Sequence, residues 1–123
     1  SGAGALGFLA AGNTTPDALA RSLPQLHAGV THFGVNLFAL ERDPVDMDAM
    51  SRYADRLAPG AARLGVDLGL SDSDDDDHRA AKVDLLADLA IPVVSFTFGL
   101  PFVGEIASLR AAGIVVLATV TSP

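Results

Sequence analysis

Four short runs of apolar residues punctuate the chain, each introduced by Gly or Pro and followed by turn residues. They are Leu6–Ala11 (LGFLAA), His32–Phe38 (HFGVNLF), Pro92–Phe98 (PVVSFTF) and Ile114–Thr121 (IVVLATVT). Their apolar positions are nearly continuous rather than alternating, the pattern of strands buried on both faces, as in a parallel sheet. Helical spacing fills the intervals. Thr15-Pro16-Asp17 combines an N-cap, a proline in the first turn and an acid near the helix start. Leu19, Leu23 and Leu26 then recur at helical spacing as far as Gly29. Pro24 lacks an N–H and crowds the Ala20 carbonyl, so a kink or break is expected there.

A second helix is predicted to open at Asp43-Pro44, with Met47, Met50, Ala54 and Leu57 along one stripe. A third is expected from about His78, capped by Asp77, with Val83, Leu86 and Ala90 facing inward. A fourth carries Ile106 and Leu109 and ends at Gly113. Alternating strands and helices imply right-handed crossovers. Two α/β architectures compete, an open doubly wound sheet and a piece of an eight-stranded (β/α) barrel, which takes about 250 residues when complete.

The chain's 123 residues fit one compact domain. It begins at Ser1 and stops at Pro123, in each case beside an apolar run, whereas domain ends are ordinarily polar. Both ends therefore look cut, and residues 1–123 are expected to form a single but partial domain. There is no cysteine, which removes disulfides, thiolate metal sites and cysteine nucleophiles. Eight basic against 15 acidic side chains give a net charge of −7, a poor basis for binding nucleic acid or an anionic membrane. The apolar runs fall short of the roughly 20 residues that span a bilayer, and no basic stretch precedes an N-terminal apolar run. A cytoplasmic protein is expected.

Ligands of parallel α/β folds bind at the carboxyl ends of the strands. None of the histidines is expected there. His27 lies near a helix end, His78 at a helix start, and His32 opens a strand, about 13 Å from its carboxyl end. The acidic run from Asp72 to Asp77 lacks the Gly and Glu of a calcium loop, since the sixth and twelfth positions hold Asp77 and Val83. A solvated loop is the expectation, with no metal. Gly2, Gly4 and Gly7 match a dinucleotide pattern, but they precede a strand instead of opening a helix. What remains at the carboxyl ends is polar and uncharged: Asn36, Ser95, Thr97, Thr119 and Thr121. A buried amide such as that of Asn36 needs partners, either from the backbone or from a polar ligand.

These stretches resemble the nitronate monooxygenase family, FMN-dependent (β/α)8-barrel enzymes once called 2-nitropropane dioxygenases. Ser1–Gly12 resembles the family's glycine-rich entry to its second strand, and Phe33-Gly34-Val35-Asn36-Leu37-Phe38 its third. Val94-Ser95-Phe96-Thr97-Phe98-Gly99-Leu100-Pro101 and Leu117–Ser122 look like the fourth and fifth. The resemblance implies a parallel half-barrel, a fragment of a TIM-type barrel covering strands two to five. It also implies FMN as cofactor, with Asn36 contacting it and Thr97 and Thr119 near the flavin or substrate.

The family's catalytic histidine, in a Gly-Gly-His context, and its phosphate-binding glycine loops would follow Pro123, and this sequence has no Gly-Gly pair. The implied reaction of the intact protein is oxidative denitrification of alkyl nitronates or nitroalkanes with oxygen, the flavin carrying the electrons. The fragment alone is expected to be inactive and to form a homodimer through its exposed strand edges. A flavin-dependent enoyl-acyl carrier protein reductase is similar in strand order. A non-enzymatic α/β module with an Asp-rich interaction loop is the remaining alternative.

Overall fold

A computed structural model describes residues 4–29, 32–40, 46–69 and 76–121. The chain divides into two compact units, one formed by Ser1–Glu41 with Asp76–Pro123 and the other by Arg42–Asp75.

The first unit contains β1 (Gly7–Ala10), α1 (Pro16–Gly29), β2 (Phe33–Phe38), α3 (Arg79–Asp88), β3 (Val93–Thr97), α4 (Val103–Ala111) and β4 (Val115–Ala118). The second contains α2 (Met47–Leu64). All strand pairs are parallel, and the spatial order β1-β2-β3-β4 repeats the chain order. A doubly wound sheet reverses its strand order at a switch point. This sheet does not, so its winding is that of a barrel, with same-handed crossovers laying their helices on one face.

The helix-facing side forms the core. Val35 and Leu37 of β2 and Val94 and Phe96 of β3 pack with Leu19 and Leu23 of α1, Val83 and Leu86 of α3 and Leu109 of α4. The opposite side is formed by three rows set by the register. Phe8 stands beside Gly34 and Val93 beside Val115, then Ala10 beside Asn36 and Ser95 beside Leu117, then Phe38 beside Thr97. Its apolar members are half-exposed, Phe8 by 42% and Leu117 by 45%. Burial of the strands is therefore one-sided, and the expectation of burial on both faces fails for β1 and β4, whose residues are mostly exposed. Apolar sequence marks a strand made to be covered; it does not say that the covering atoms belong to the same 123 residues.

Several local expectations are corrected. Of the kink or break expected at Pro24, the break does not occur: Pro24 lies inside α1, exposed, while Leu19 and Leu23 are buried in the core. The N-cap of α2 is Asp46, whose Oδ1 accepts from Ala49 N–H at 2.9 Å; Asp43-Pro44 lies outside the described residues. The stripe Met47, Met50, Ala54 and Leu57 contains no buried residue. Ala90 lies beyond the end of α3, exposed and with φ +48°, since the helix stops at Asp88.

Asp77 departs furthest from its expected role. It is 6% exposed, adopts a left-handed backbone (φ 56°), and makes no cap, the N-cap position of α3 being His78 without a side-chain bond. Instead its Oδ1 accepts from Asn13 N–H at 2.8 Å, and its Oδ2 pairs with Lys82 Nζ at 2.8 Å. Lys82 Nζ also donates to the Ala11 carbonyl at 2.8 Å. One buried ion pair thus fastens the turn after β1 to α3. A lysine at 82 shares the helical stripe of Arg79, Val83 and Leu86, and a charge on a core stripe needs a counter-charge. That signal was available in the sequence.

Candidate functional site

The carboxyl ends of β2, β3 and β4 open into a groove of about 760 Å3. Asn36, Thr97 and Thr119, the three residues that the family resemblance implied, all line it, together with Thr121, Phe38 and the turn Phe98-Gly99-Leu100. Strand β4 ends at Ala118, so Thr119 lies just beyond it, its N–H still donating to the Phe96 carbonyl at 2.9 Å.

Backbone groups around the site are committed to the ladder. Ala11 N–H donates to the Asn36 carbonyl at 2.9 Å and Ala39 N–H to the Thr97 carbonyl at 2.8 Å. Side chains therefore supply the site's polarity. Asn36 Nδ2 donates to Ser95 Oγ at 2.8 Å and reaches the Ser95 carbonyl at 3.5 Å. Thr97 Oγ1 donates to Asn36 Oδ1 at 3.2 Å. The amide is thus satisfied by its own strand neighbours while still facing the groove.

Two aromatic rings form the apolar wall. Phe38 and Phe98 meet edge to face, with centroids 4.9 Å apart and ring planes at 72°. Phe98 is 67% exposed and adopts φ +69°, a conformation that disfavours a bulky residue. Phe38 in turn lies against Gly12, where an added Cβ would overlap its ring. Gly12→Ala is therefore expected to push Phe38 into the groove at a cost of about 1–3 kcal/mol. Urea unfolding reads the loss, and the Phe38 ring shifts in NMR spectra read the displacement.

None of the groove's described lining residues is ionisable; their polar side chains are hydroxyls and one amide, groups that donate and accept hydrogen bonds. The histidines lie elsewhere. His32 precedes β2, exposed, and the His27 side chain lies outside the described residues. His78 differs from its expected placement: it adjoins Asp77, whose bond to Asn13 sets the start of α3 beside the turn after β1, at the carboxyl end of the sheet. It does not line the groove.

Residues 70–75, most of the acidic run, lie outside the described residues; Asp77, at its end, is buried and not solvated. Among the described residues no cluster of His, Asp or Glu is arranged to hold a metal ion, and no helix is long and apolar enough to cross a membrane. A second contact went unseen in the sequence. Arg79 Nε pairs with Glu105 Oε1 at 2.9 Å and its guanidinium lies 4.2 Å from the Phe102 ring centroid. Glu105 Oε2 accepts from Phe102 N–H at 2.7 Å, so the starts of α3 and α4 are pinned together behind the groove's Leu100 lip.

A singly wound parallel sheet with a neutral, partly aromatic groove at its strand tips is the arrangement of a (β/α)-barrel. The chain matches the nitronate monooxygenase model over residues 1–123, and it belongs to that family. A probable nitronate monooxygenase of Bacillus subtilis (strain 168) is 29% identical, the alignment covering 99% of this chain and 35% of that protein. The crystal structure of a nitroalkane oxidase from Streptomyces ansochromogenes superposes with a TM-score of 0.88 at 41% identity, over 99% of this chain and 35% of that one. FabK from Thermotoga maritima superposes at a TM-score of 0.63 with 24% identity, over 99% of this chain and 28% of that one, a likeness of fold alone. The chain thus spans about a third of the length of these relatives, and its sheet is four strands of a TIM-type barrel.

Proposed function

We propose that this chain supplies the flavin-facing mouth of an FMN-dependent oxidoreductase of the nitronate monooxygenase type, acting on alkyl nitronates or nitroalkanes with oxygen. One observation carries the proposal: Asn36, Thr97 and Thr119 meet in one uncharged groove beside the Phe38–Phe98 pair. An isoalloxazine ring is planar, apolar over its body and polar along its pyrimidine edge. The groove offers the matching surfaces, with hydroxyl and amide groups for the edge and aromatic rings that exclude water from the body. The fit extends to the ring only, since no cation or paired glycines line the described groove to take a phosphate.

When bound, FMN would supply the electron transfer that oxidises the nitronate. This chain's part is to position the ring, and with no ionisable group among the groove's described lining residues it should not turn over substrate alone. The relatives' greater length is room for a base and a phosphate grip. The unpaired edges of β1 and β4 would meet a second copy, giving a homodimer of the isolated chain, and the protein would act in the cytoplasm.

Flavin fluorescence on titration with the 123-residue chain tests the central claim. Riboflavin should bind within a fewfold of FMN, and Asn36→Leu should weaken both by about tenfold, the worth of one or two hydrogen bonds. Absence of flavin quenching, or full affinity in the Asn36→Leu variant, overturns the proposal.

A further inference from the structure

We infer that Ser95 is a positioning residue that makes the β2–β3 wall of the groove a hydrogen-bond acceptor, so that this wall reads an N–H donor on the bound ring. The inference rests on the flavin reading above and goes beyond it by assigning the polarity of the contact. Ser95 stands opposite Asn36 in the register and does not itself line the groove. It holds Asn36 Nδ2 by its Oγ at 2.8 Å, with its carbonyl 3.5 Å away.

A carbonyl can only accept. Were the amide flipped, Asn36 Oδ1 would face that carbonyl oxygen lone pair to lone pair, so Nδ2 must point to Ser95. Oδ1 then points to Thr97, and the 3.2 Å contact between them can only be filled by the threonine hydroxyl as donor. Thr97 has spent its one proton inside the wall. What it presents to the groove is lone pairs, and Asn36 Oδ1 adds its second. The group that answers this wall on an isoalloxazine edge is the imide N–H, flanked by two carbonyls that cannot donate.

The two parts are separable by experiment. In the ligand-free protein, the Asn36 side-chain amide protons should be shifted and protected from solvent exchange. Ser95→Ala should abolish that signature, and Ser95→Thr, which keeps the hydroxyl, should retain it. An unchanged Asn36 signature in Ser95→Ala overturns the positioning role. In the second arm the probes are lumiflavin and 3-methyllumiflavin, in which the imide proton is replaced by methyl.

The native chain should prefer lumiflavin by about tenfold, the worth of one well-placed hydrogen bond. The preference should fall to roughly twofold or less in Ser95→Ala, where the amide loses its 2.8 Å anchor and Oδ1 is no longer held toward the groove, and should be reduced in Thr97→Val, which removes one of the wall's two acceptors. It should persist in Ser95→Thr. Equal binding of the two probes by the native chain overturns the acceptor wall while leaving flavin binding standing. Binding of neither probe, with the Asn36 signature intact, overturns the imide contact together with the flavin reading and supports the positioning role alone.

Discussion

Lys82→Met is expected to remove a large part of the stability of the β-sheet unit. The side chain is fully buried and is the chain's only lysine. Methionine reproduces its length and fills its volume, so the cost is electrostatic rather than steric. Asp77 would lose its ammonium partner while its carboxylate stays buried, and the Ala11 carbonyl would lose its 2.8 Å donor. Removing one partner of a buried pair costs about 3–5 kcal/mol, because an uncompensated charge remains. Domains of this kind have a total of about 5–15 kcal/mol.

Urea unfolding followed by circular dichroism reads the loss. Asp77→Asn keeps an oxygen for Asn13 N–H but removes the counter-charge, and it should cost a similar amount. The double variant, Lys82→Met with Asp77→Asn, leaves no charge unpaired. Its cost should fall short of the sum by about 2 kcal/mol or more, the coupling of groups in direct contact. Additive costs would show that the pair is not what fastens the turn after β1 to α3.

This ion pair also marks the boundary of what local reasoning could read. Strands and helices were legible because the interactions that make them are local. Apolar runs between Gly and Pro gave β1 to β3 within a residue at each end and β4 with an end three residues too late, and Thr15 does accept from Ala18 N–H where an N-cap was expected. Asp77 satisfies every local criterion for a cap. Its actual partners are Asn13, 64 positions away in sequence, and a lysine whose own second contact is 71 away. The distant bond to Asn13 overrode the capping preference, and no short window of sequence contains it; only the pairing of Asp77 with Lys82, five residues on, lies within local reach.

Pattern and composition alone left the choice between an open sheet and a barrel open for the same reason, since strand order is a property of all four strands together; the family resemblance is what pointed to the half-barrel. The site was more accessible. The rule that ligands lie at strand carboxyl ends gave Asn36, Ser95, Thr97, Thr119 and Thr121 before any geometry, the family resemblance narrowed them to Asn36, Thr97 and Thr119, and the groove is lined by all of the five except Ser95. Missing were the partners of the amide. Ser95 and Thr97 sit on the same face of β3 two residues apart, but only the register that sets Ser95 beside Asn36 shows which group donates to which.

The two faces of the sheet carry phenylalanines that should respond very differently to truncation. Phe96→Ala, on the helix-facing side of β3, is expected to cost about 3–5 kcal/mol, the range for emptying a packed aromatic site. Phe96 is 0% exposed and belongs to the cluster that unites α1, α3 and α4 with the sheet. Phe8→Ala, on the opposite side, should cost only about 1 kcal/mol, because the ring already keeps 42% of its surface and rests chiefly over Gly34. Equilibrium unfolding of both variants at low protein concentration reads the contrast.

The same pair tests whether the exposed face takes a second copy. Association that buries Phe8 would add its lost contacts to the free energy of the assembled state, so the penalty of Phe8→Ala would grow with protein concentration. The penalty of Phe96→Ala, already complete within one chain, would not. A Phe8→Ala penalty that stays flat over a thousandfold range of concentration would mean that the isolated chain leaves this face to solvent. The apolar rows of β1 and β4 would then be matched to atoms outside these 123 residues rather than to another copy of them.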